Sequence, residues 1–293
     1  MRVLLATDGS KHAEQAASLL ARLPHSHPLE LAILAVTPPR GFHGAIDVVE
    51  WLERSQEAEK QKMAEACGRI ERLFEGADAQ LQTIFVNGHP GSTIVAQAEA
   101  LKSELIVLGA VGSNVLARVM LGSTSDFVAT HATCSVLVVR PDQGESPSEH
   151  ILKVCIADDE SPAAEFAIEH LSEFGWGAHT HIDLVNVLLS PMSYSELPVT
   201  YDSEALWMEM LEKVSARLVD VKALSPSVSP HVIEANHVGE GLVDFVKRRG
   251  SNLLVLGNTG RSLLSQFLMG STSRFTLRHG RCSVWIARQP ATS

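Results

Sequence analysis

The sequence lacks any long apolar run, which argues against a membrane-spanning helix, since such a helix needs about 20 consecutive apolar residues. Its opening residues, MRVLLATDGS, reach a carboxylate too early for the apolar region of a signal peptide. Positive charge is also scarce: 24 Lys and Arg stand against 34 Asp and Glu, a formal net charge of −10. Such an acidic chain is poorly suited to general binding of nucleic acid or of an anionic membrane, and we expect neither as a partner.

Cysteine is rare, and its four copies show none of the C-x-x-C spacing typical of zinc sites and redox pairs. Cys134 and Cys282 precede two β-rich runs, where a small buried apolar side chain is the simplest interpretation. We therefore assign no residues to a metal site and expect a cytoplasmic location. A GxxxxGK[ST] phosphate loop, a GxGxxG loop after the first strand and a GxSxG elbow are absent too, which disfavours a dedicated ATPase or dehydrogenase and leaves no catalytic residue to assign.

The sequence contains an internal repeat. Gly109, Gly112, Gly122 and Cys134 each recur 148 positions later, at 257, 260, 270 and 282. Earlier landmarks recur 151 positions later: Asp8 at 159, Val36 at 187 and Gly88 at 239. The offset changes by three residues in one place, where GHPGST in the first copy corresponds to GEG in the second. This regularity indicates an internal duplication.

Each copy alternates short apolar runs with stretches of helical periodicity, the pattern of a parallel α/β sheet. The chain has 293 residues, enough for two such domains. We predict an α/β fold with two tandem doubly wound domains of five parallel strands each, at 1–141 and 151–293, joined by a polar linker at 142–150. In the second copy the third strand is expected at Val232–Val238, and the next helix near Leu242–Arg249.

Glycine loops at the carboxyl ends of strands suggest a ligand site, because doubly wound sheets bind ligands where strand order reverses. With the order 3-2-1-4-5, Asp8 and Gly109 would face the same crevice. Glycine lets backbone N–H groups approach an anion, and Gly122-Ser123-Thr124 stands where a helix begins, with unpaired N–H groups and hydroxyls that suit a phosphate. Asp8 could bind a ribose or position Mg²⁺, and the backbone at Val36 could meet an adenine edge. The alternative is that these glycines only make tight turns.

The spacing G-x2-G-x9-G-[ST] after a strand resembles the ATP-binding branch of the universal stress protein family, and both copies carry it. The resemblance covers nearly the whole chain and implies a tandem member with the fold of adenine nucleotide alpha-hydrolases. It also implies that ATP or a related adenine nucleotide binds, with Mg²⁺. The residues carried over, together with their immediate neighbours, are Ala6, Thr7, Asp8, Val36, Gly109, Gly112, Gly122, Ser123, Thr124, Ser125, Asp158, Asp159, Val187, Gly257, Gly260, Gly270, Ser271, Thr272 and Ser273.

Two further implications concern assembly and departures from the family pattern. Members commonly pair through their last strands, so Val136–Val139 and Val284–Ala287 could form an intrachain pseudo-dimer, with a further homodimer left open. Where members often carry Cys-Pro, this chain has Cys-Ser at 134–135 and 282–283, a loss of stiffness rather than of chemistry. Glu160 takes the place of Gly9 and stands next to Asp158 and Asp159 at the opening of the second site. This concentration of negative charge makes the second site the weaker candidate for binding a nucleotide.

The expected function is therefore regulation in stress or dormancy rather than metabolic catalysis. In this hypothesis the nucleotide orders the segment Gly109–Gly122 and thereby changes the surface shown to an unidentified protein partner. Two alternatives stay open. One is an interaction scaffold with vestigial sites, and the other is a slow Mg²⁺-dependent ATP hydrolase.

Overall fold

A computed structural model describes residues 1–38, 49–111, 121–141, 152–177, 179–190, 203–259 and 269–289. The first half contains β1 (Arg2–Thr7), α1 (Lys11–Arg22), β2 (Leu29–Thr37), α2 (Val49–Arg72), β3 (Ala79–Asn87), α3 (Pro90–Ala100), β4 (Leu105–Gly109), α4 (Ser123–His131) and β5 (Ser135–Val139). The second half contains β6 (Leu152–Ala157), α5 (Pro162–Ser172), β7 (Thr180–Leu189), α6 (Ser203–Lys222), β8 (Ser227–Ala235), α7 (Val238–Arg249), β9 (Leu253–Gly257), α8 (Ser271–His279) and β10 (Ser283–Ala287). The alternation of strand and helix confirms the predicted α/β class.

All ten strands form one sheet in the order β3-β2-β1-β4-β5-β10-β9-β6-β7-β8. Each half therefore has the predicted order 3-2-1-4-5, with parallel neighbours throughout. The halves meet where β5 and β10 pair antiparallel, with Leu137 opposite Trp285. The last strands thus pair within one chain, as the resemblance implied.

Successive side chains of a strand point to opposite faces of a sheet, and this sheet has a core on each face. On one face Leu5 and Ile156 pack with side chains of α1, α2, α5 and α6; on the other, Leu4 and Cys155 pack with those of α3, α4, α7 and α8. Both cores run through both halves. The chain's four cysteines lie within the described ranges, and all are buried free thiols, as expected for Cys134 and Cys282.

One strand and one helix of the second half begin earlier than the sequence predicted. Strand β8 starts at Ser227 rather than Val232 and continues through Pro230. A proline lacks the N–H that a central strand must donate, but β8 is the edge of the sheet, where that loss is tolerated. Helix α7 begins at Val238 rather than near Leu242, because the His237 ring accepts a hydrogen bond from the Glu240 N–H at 3.3 Å and caps the helix.

Two buried arginines tie the halves together in a reciprocal way. Arg140 follows β5 and donates through Nη2 to Leu277 O at the end of α8, 2.8 Å away. Arg288 follows β10 and donates to the carbonyls of Ala129 and Ala132 at the end of α4. Cations at helix C-termini satisfy carbonyls that have no intrahelical partner and oppose the negative end of the helix dipole. Each half thus caps a helix of the other.

The two serines that replace the family's proline take part in the same contact. Ser283 Oγ accepts the backbone N–H of Arg140 at 3.2 Å, and Ser135 Oγ accepts that of Arg288 at 3.1 Å. All four residues are buried. The Cys-Ser pairs therefore supply hydrogen bonds across the junction. The interpretation of these pairs only as a loss of stiffness did not include this role.

Candidate functional site

A cavity of about 770 Å³ lies at the carboxyl ends of β6, β7 and β9, beside the start of α8. This is the place where a doubly wound sheet binds ligands. The cavity brings together eight of the residues named from the sequence: Asp158, Asp159, Val187, Gly257, Gly270, Ser271, Thr272 and Ser273. It also has an apolar side built from α6 and α7, including Met210 and Leu242.

The end of strand one has the same local geometry in both halves. Asp8 Oδ1 accepts the Ser10 N–H at 3.0 Å, and Asp159 Oδ1 accepts the Ser161 N–H at 3.1 Å. Each serine in turn caps the following helix, α1 or α5, through its hydroxyl. The two aspartates are therefore structurally equivalent, as the 151-residue offset predicted. Ala6 and Thr7 precede Asp8 and are buried.

An ion pair lies beside the end of β6 in the second half. Asp158 is buried, and its Oδ2 lies 2.8 Å from Arg217 Nε on α6, at ion-pair distance but not in line for a hydrogen bond. Burial raises the pKa of the Asp158 carboxyl, while the hydrogen bond from Glu160 N–H and the charge of Arg217 oppose that rise. The first half has Thr7 and Ala66 at the corresponding positions, 151 residues earlier. The positive charge of Arg217 therefore offsets part of the negative charge that Asp158, Asp159 and Glu160 place at the second site.

The helices α4 and α8 begin without a side-chain cap. Their N-cap residues are Gly122 and Gly270, and neither makes a side-chain hydrogen bond. The first N–H groups of an α-helix have no partner within the helix, so here they could meet an anion, which the positive end of the helix dipole also favours. In the second half those groups border the cavity, next to the hydroxyls of Ser271 and Thr272. Ser123 and Thr124 occupy the same places at the start of α4.

The segments 109–122 and 257–270 are each held together at their two ends by equivalent hydrogen bonds. Gly122 N–H donates to Ala110 O and Gly270 N–H donates to Asn258 O, each at 2.7 Å. The hydroxyls of Ser125 and Ser273, both buried, donate to the carbonyls of Gly109 and Gly257 at 2.8 Å. Because a serine hydroxyl has one proton, we expect Ser125 and Ser273 to position the segment and to leave phosphate contacts to the backbone N–H groups.

The glycines that end β4 and β9 have a packing reason of their own. A Cβ built on Gly257 would lie 2.6 Å from Ala163 Cβ and 2.8 Å from the Ala163 carbonyl carbon at the start of α5. A Cβ on Gly109 would lie 3.0 Å from the carbonyl of His12 on α1. Close approach of strand and helix thus requires glycine here, whether or not an anion binds. These two glycines thus have a role in packing, which differs from the tight turns considered in the sequence analysis.

Val187 lines the cavity near the end of β7, and Val36 occupies the equivalent position in β2, where it is buried. Gly112 and Gly260, the middle glycines of the repeated spacing, lie outside the described residues, as does the predicted linker at 142–150. In the first half, the segment from Gly109 to Gly122 is therefore described only at its two ends.

Sequence reasoning missed three side chains at this site. Asn186 is buried and donates through Nδ2 to Asp158 O at 2.8 Å, which fixes the end of β6 against β7. Lys213 and Met210 reach the cavity from α6. A single amide within the apolar run of β7 was a usable signal for Asn186, and the 151-residue offset relates Lys213 to Lys62.

Comparison with known proteins identifies the family of the chain. The universal stress protein family matches residues 1–140 and again residues 150–288. This chain belongs to the universal stress protein family. It carries two copies of the family domain, and its fold and sheet order are those expected for a tandem member.

Individual relatives extend over most of the chain. Universal stress protein Rv2005c of Mycobacterium tuberculosis is 29% identical over 238 residues, which are 80% of this chain and 78% of the relative. A crystal structure of a universal stress protein from Archaeoglobus fulgidus covers 98% of both chains with a TM-score of 0.63 at 18% identity, a likeness of fold. Another solved universal stress protein, matching 48% of this chain and 96% of its own at 23% identity and a TM-score of 0.35, is a complex with cAMP.

Within the ranges that the structure describes, no helix combines the length and the apolar character needed to cross a bilayer.

Proposed function

We propose that this universal stress protein binds ATP or a related adenine nucleotide at the carboxyl ends of its strands and acts as a cytoplasmic regulator in stress or dormancy. The observation that carries the proposal is the 770 Å³ cavity in which the end of strand one, the end of β7 and the uncapped start of α8 converge. Its volume lies in the range of cofactor sites, about 300–1,000 Å³. The matched geometry at Asp8 and Gly122 supports a second site in the first half.

The residues fit a nucleotide in complementary ways. The first N–H groups of α8, with Ser271 and Thr272, would hold phosphate oxygens. Apolar side chains such as Met210 and Leu242 would pack on the adenine ring, whose edge the backbone at Val187 would meet. Carboxylate and phosphate oxygens are ligands that Mg²⁺ prefers, so Asp159 would hold the ion together with the phosphates. Lys213, whose ammonium pairs with Glu209 at 2.8 Å, also lies at the wall of the cavity.

Regulation would pass through the segments that join Gly109 to Gly122 and Gly257 to Gly270. Each segment is pinned at its base by the hydrogen bonds to Ala110 and Asn258, so a ligand at the start of α4 or α8 would act on the part in between. A protein partner would then distinguish the occupied from the empty form. No catalytic residue is proposed, and any hydrolysis would be slow and incidental.

Native mass spectrometry with Mg·ATP tests the sites one at a time. Ser271→Asp and Ser123→Asp each place a carboxylate at the first position of a helix. There it interacts favourably with the positive end of the helix dipole but repels a phosphate. We expect two nucleotides on the unmodified chain, one on either single variant and none on the double variant. Unchanged thermal unfolding temperatures without nucleotide would show that the variants fold.

Four results would contradict parts of the proposal. No binding at millimolar ATP would favour the interaction scaffold with vestigial sites. Loss of one nucleotide with Ser123→Asp but none with Ser271→Asp would leave the second cavity without its assigned role. Robust Mg²⁺-dependent turnover that Asp8→Ala abolishes would favour the hydrolase. For the regulatory step, equal cleavage between residues 109 and 122 with and without ATP in limited proteolysis would refute ordering by nucleotide.

A further inference from the structure

A second cavity, of about 470 Å³, lies between the two halves of the chain. It is bounded by α1, by the end of β5, by the turn between α7 and β9 and by the start of β10. Four cationic side chains line it: Arg22, Arg140, Lys247 and Arg281. No Asp or Glu is among its described lining residues, although the chain as a whole carries ten more acidic than basic residues. We call it the junction cavity.

Two buried donors of the junction cavity have no partner among the described residues. Arg140 is only 5% exposed, and its Nε makes no hydrogen bond there. The hydroxyl of Ser251, a residue 8% exposed, also lacks one. Burial lowers the pKa of the Arg140 guanidinium, and no described carboxylate counters that shift. A buried donor without an acceptor costs about 1–3 kcal/mol, more when it is charged, so an anion that accepted from both would relieve a real penalty.

The duplication supplies an internal control for this charge pattern. Arg22 corresponds to Glu173 at the 151-residue offset, and Lys247 corresponds to Glu99 at the 148-residue offset. At the place related to the junction cavity by the repeat, these two cations are therefore glutamates, whereas Arg140 corresponds to Arg288, whose Nε also lacks a partner among the described residues. The same helices pack against the same sheet in both halves, yet two of the four cations differ in the sign of their charge between the two places. Packing does not dictate the sign of the charge, so the basic lining calls for another explanation.

We propose that the junction cavity binds a small phosphorylated anion. Arg140 and Ser251 would donate from its floor, and Arg22, Lys247 and Arg281, all exposed, would neutralise charge at its rim. The guanidinium group of arginine matches the oxygens of a phosphate in geometry, and its hydrogen bonds to an anion are among the stronger ones in proteins.

This site is separate from the nucleotide sites proposed above. None of the residues that line the junction cavity also lines the cavity beside α8. Neither does it contain Asp8, Val36 or any residue from the described ends of the Gly109–Gly122 segment. Since Arg140 comes from the first half and Ser251 from the second, an anion bound to both would contact the two halves at once. The proposal therefore does not depend on nucleotide binding.

The chain itself contains competing anions. Pro141 and Leu152 both line the junction cavity, and the sequence between them includes Asp142, Glu145 and Glu149. The placement of these three residues lies outside the described ranges. The experiment must therefore separate an external phosphate from the chain's own carboxylates.

Isothermal titration with inorganic pyrophosphate, in the Ser123→Asp, Ser271→Asp background that blocks the nucleotide sites, provides the test. The decisive variant is Arg22→Glu with Lys247→Glu, which installs the residues that the repeat carries at the equivalent positions. The matched control is Lys60→Glu with Arg72→Glu, which reverses one lysine and one arginine, both exposed on α2. We expect one pyrophosphate per chain and a loss of affinity of about tenfold or more for each cation reversed, with the control unchanged.

Three outcomes would overturn the proposal. Equal affinity in the decisive variant and the control would show that the cavity is not the site. Binding that appears only after Asp142→Asn, Glu145→Gln and Glu149→Gln would show that the chain's own carboxylates fill it. A concentration-dependent dimer in size-exclusion chromatography that the decisive variant abolishes, without pyrophosphate binding, would show that the basic lining meets the acidic region of a second copy instead.

Discussion

The imidazole of His170 should make the stability of this protein depend on pH between neutrality and pH 5. His170 lies on α5 at the junction of the halves and is 5% exposed. Its Nδ1 is 2.9 Å from Ser135 Oγ, and its ring stands edge-on to the fully buried Trp285 at 5.6 Å. Burial lowers the pKa of the imidazole from 6.5 to about 4, with Glu104 opposing the shift. Protonation in the native state is therefore disfavoured.

The sign and size of the effect follow from proton linkage. Between the two pKa values the unfolded chain binds a proton that the folded chain does not, so stability falls as the pH drops below 6.5 and stops falling near 4. The full shift corresponds to about 3 kcal/mol, of which roughly 2 kcal/mol is already lost at pH 5. His170→Gln keeps a polar group near Ser135 but removes the titration.

Urea unfolding of the unmodified chain and of His170→Gln at pH 7.5 and pH 5.0 measures this contribution. The drop in unfolding free energy between the two pH values is compared between the two proteins. Because other groups also titrate, the prediction concerns the change on substitution: the drop in unfolding free energy should be about 2 kcal/mol smaller for His170→Gln than for the unmodified chain. His89→Gln, which removes an exposed imidazole, is the control and should leave the drop unchanged. Equal drops for His170→Gln and the unmodified chain would refute the reasoning.

Three further substitutions test local geometry by urea unfolding at pH 7.5. Gly257→Ala should destabilise by about 1–3 kcal/mol, because the new Cβ would lie within 3 Å of Ala163 backbone atoms; an unchanged midpoint would contradict the packing role. Glu160→Gly should stabilise by about 1 kcal/mol, because Glu160 has a φ of 60°, a conformation in which an L side chain is strained; a loss of stability would argue against this. Ser135→Ala should cost about 1 kcal/mol, because the buried Arg288 N–H would lose its acceptor, and no cost would mean that another group replaces it.

The repeat in the sequence predicted that both halves share one fold, and the expected doubly wound fold supplied the sheet order of each half. Four landmarks at one offset and three at another fixed which strands and loops correspond, and the resemblance to a known family then implied that the last strands pair. Strand β8 was placed less well, because Pro230 signals a break unless the strand is already known to lie at the sheet edge. That knowledge comes only from the assembled topology.

The candidate site was predictable where it is local and hidden where it is not. The Asp159–Ser161 contact spans two residues and could be inferred from the spacing alone. The ion pair of Asp158 and Arg217 joins residues 59 positions apart, and the sequence around either residue does not indicate that they are in contact. Gly257 shows a third case, in which packing against Ala163 requires the glycine independently of any ligand.

The place of β10 in the sheet has a consequence for synthesis of the chain. Of the ten described strands β10 is translated last, yet it lies in the middle of the sheet and is the neighbour of β5. Until it emerges from the ribosome, β5 is an apolar strand with one unpaired edge, open to pairing with another nascent chain. A fragment of residues 1–141 should consequently self-associate in light scattering, and a strictly monomeric fragment would count against this. Completing translation closes that edge from within the same molecule.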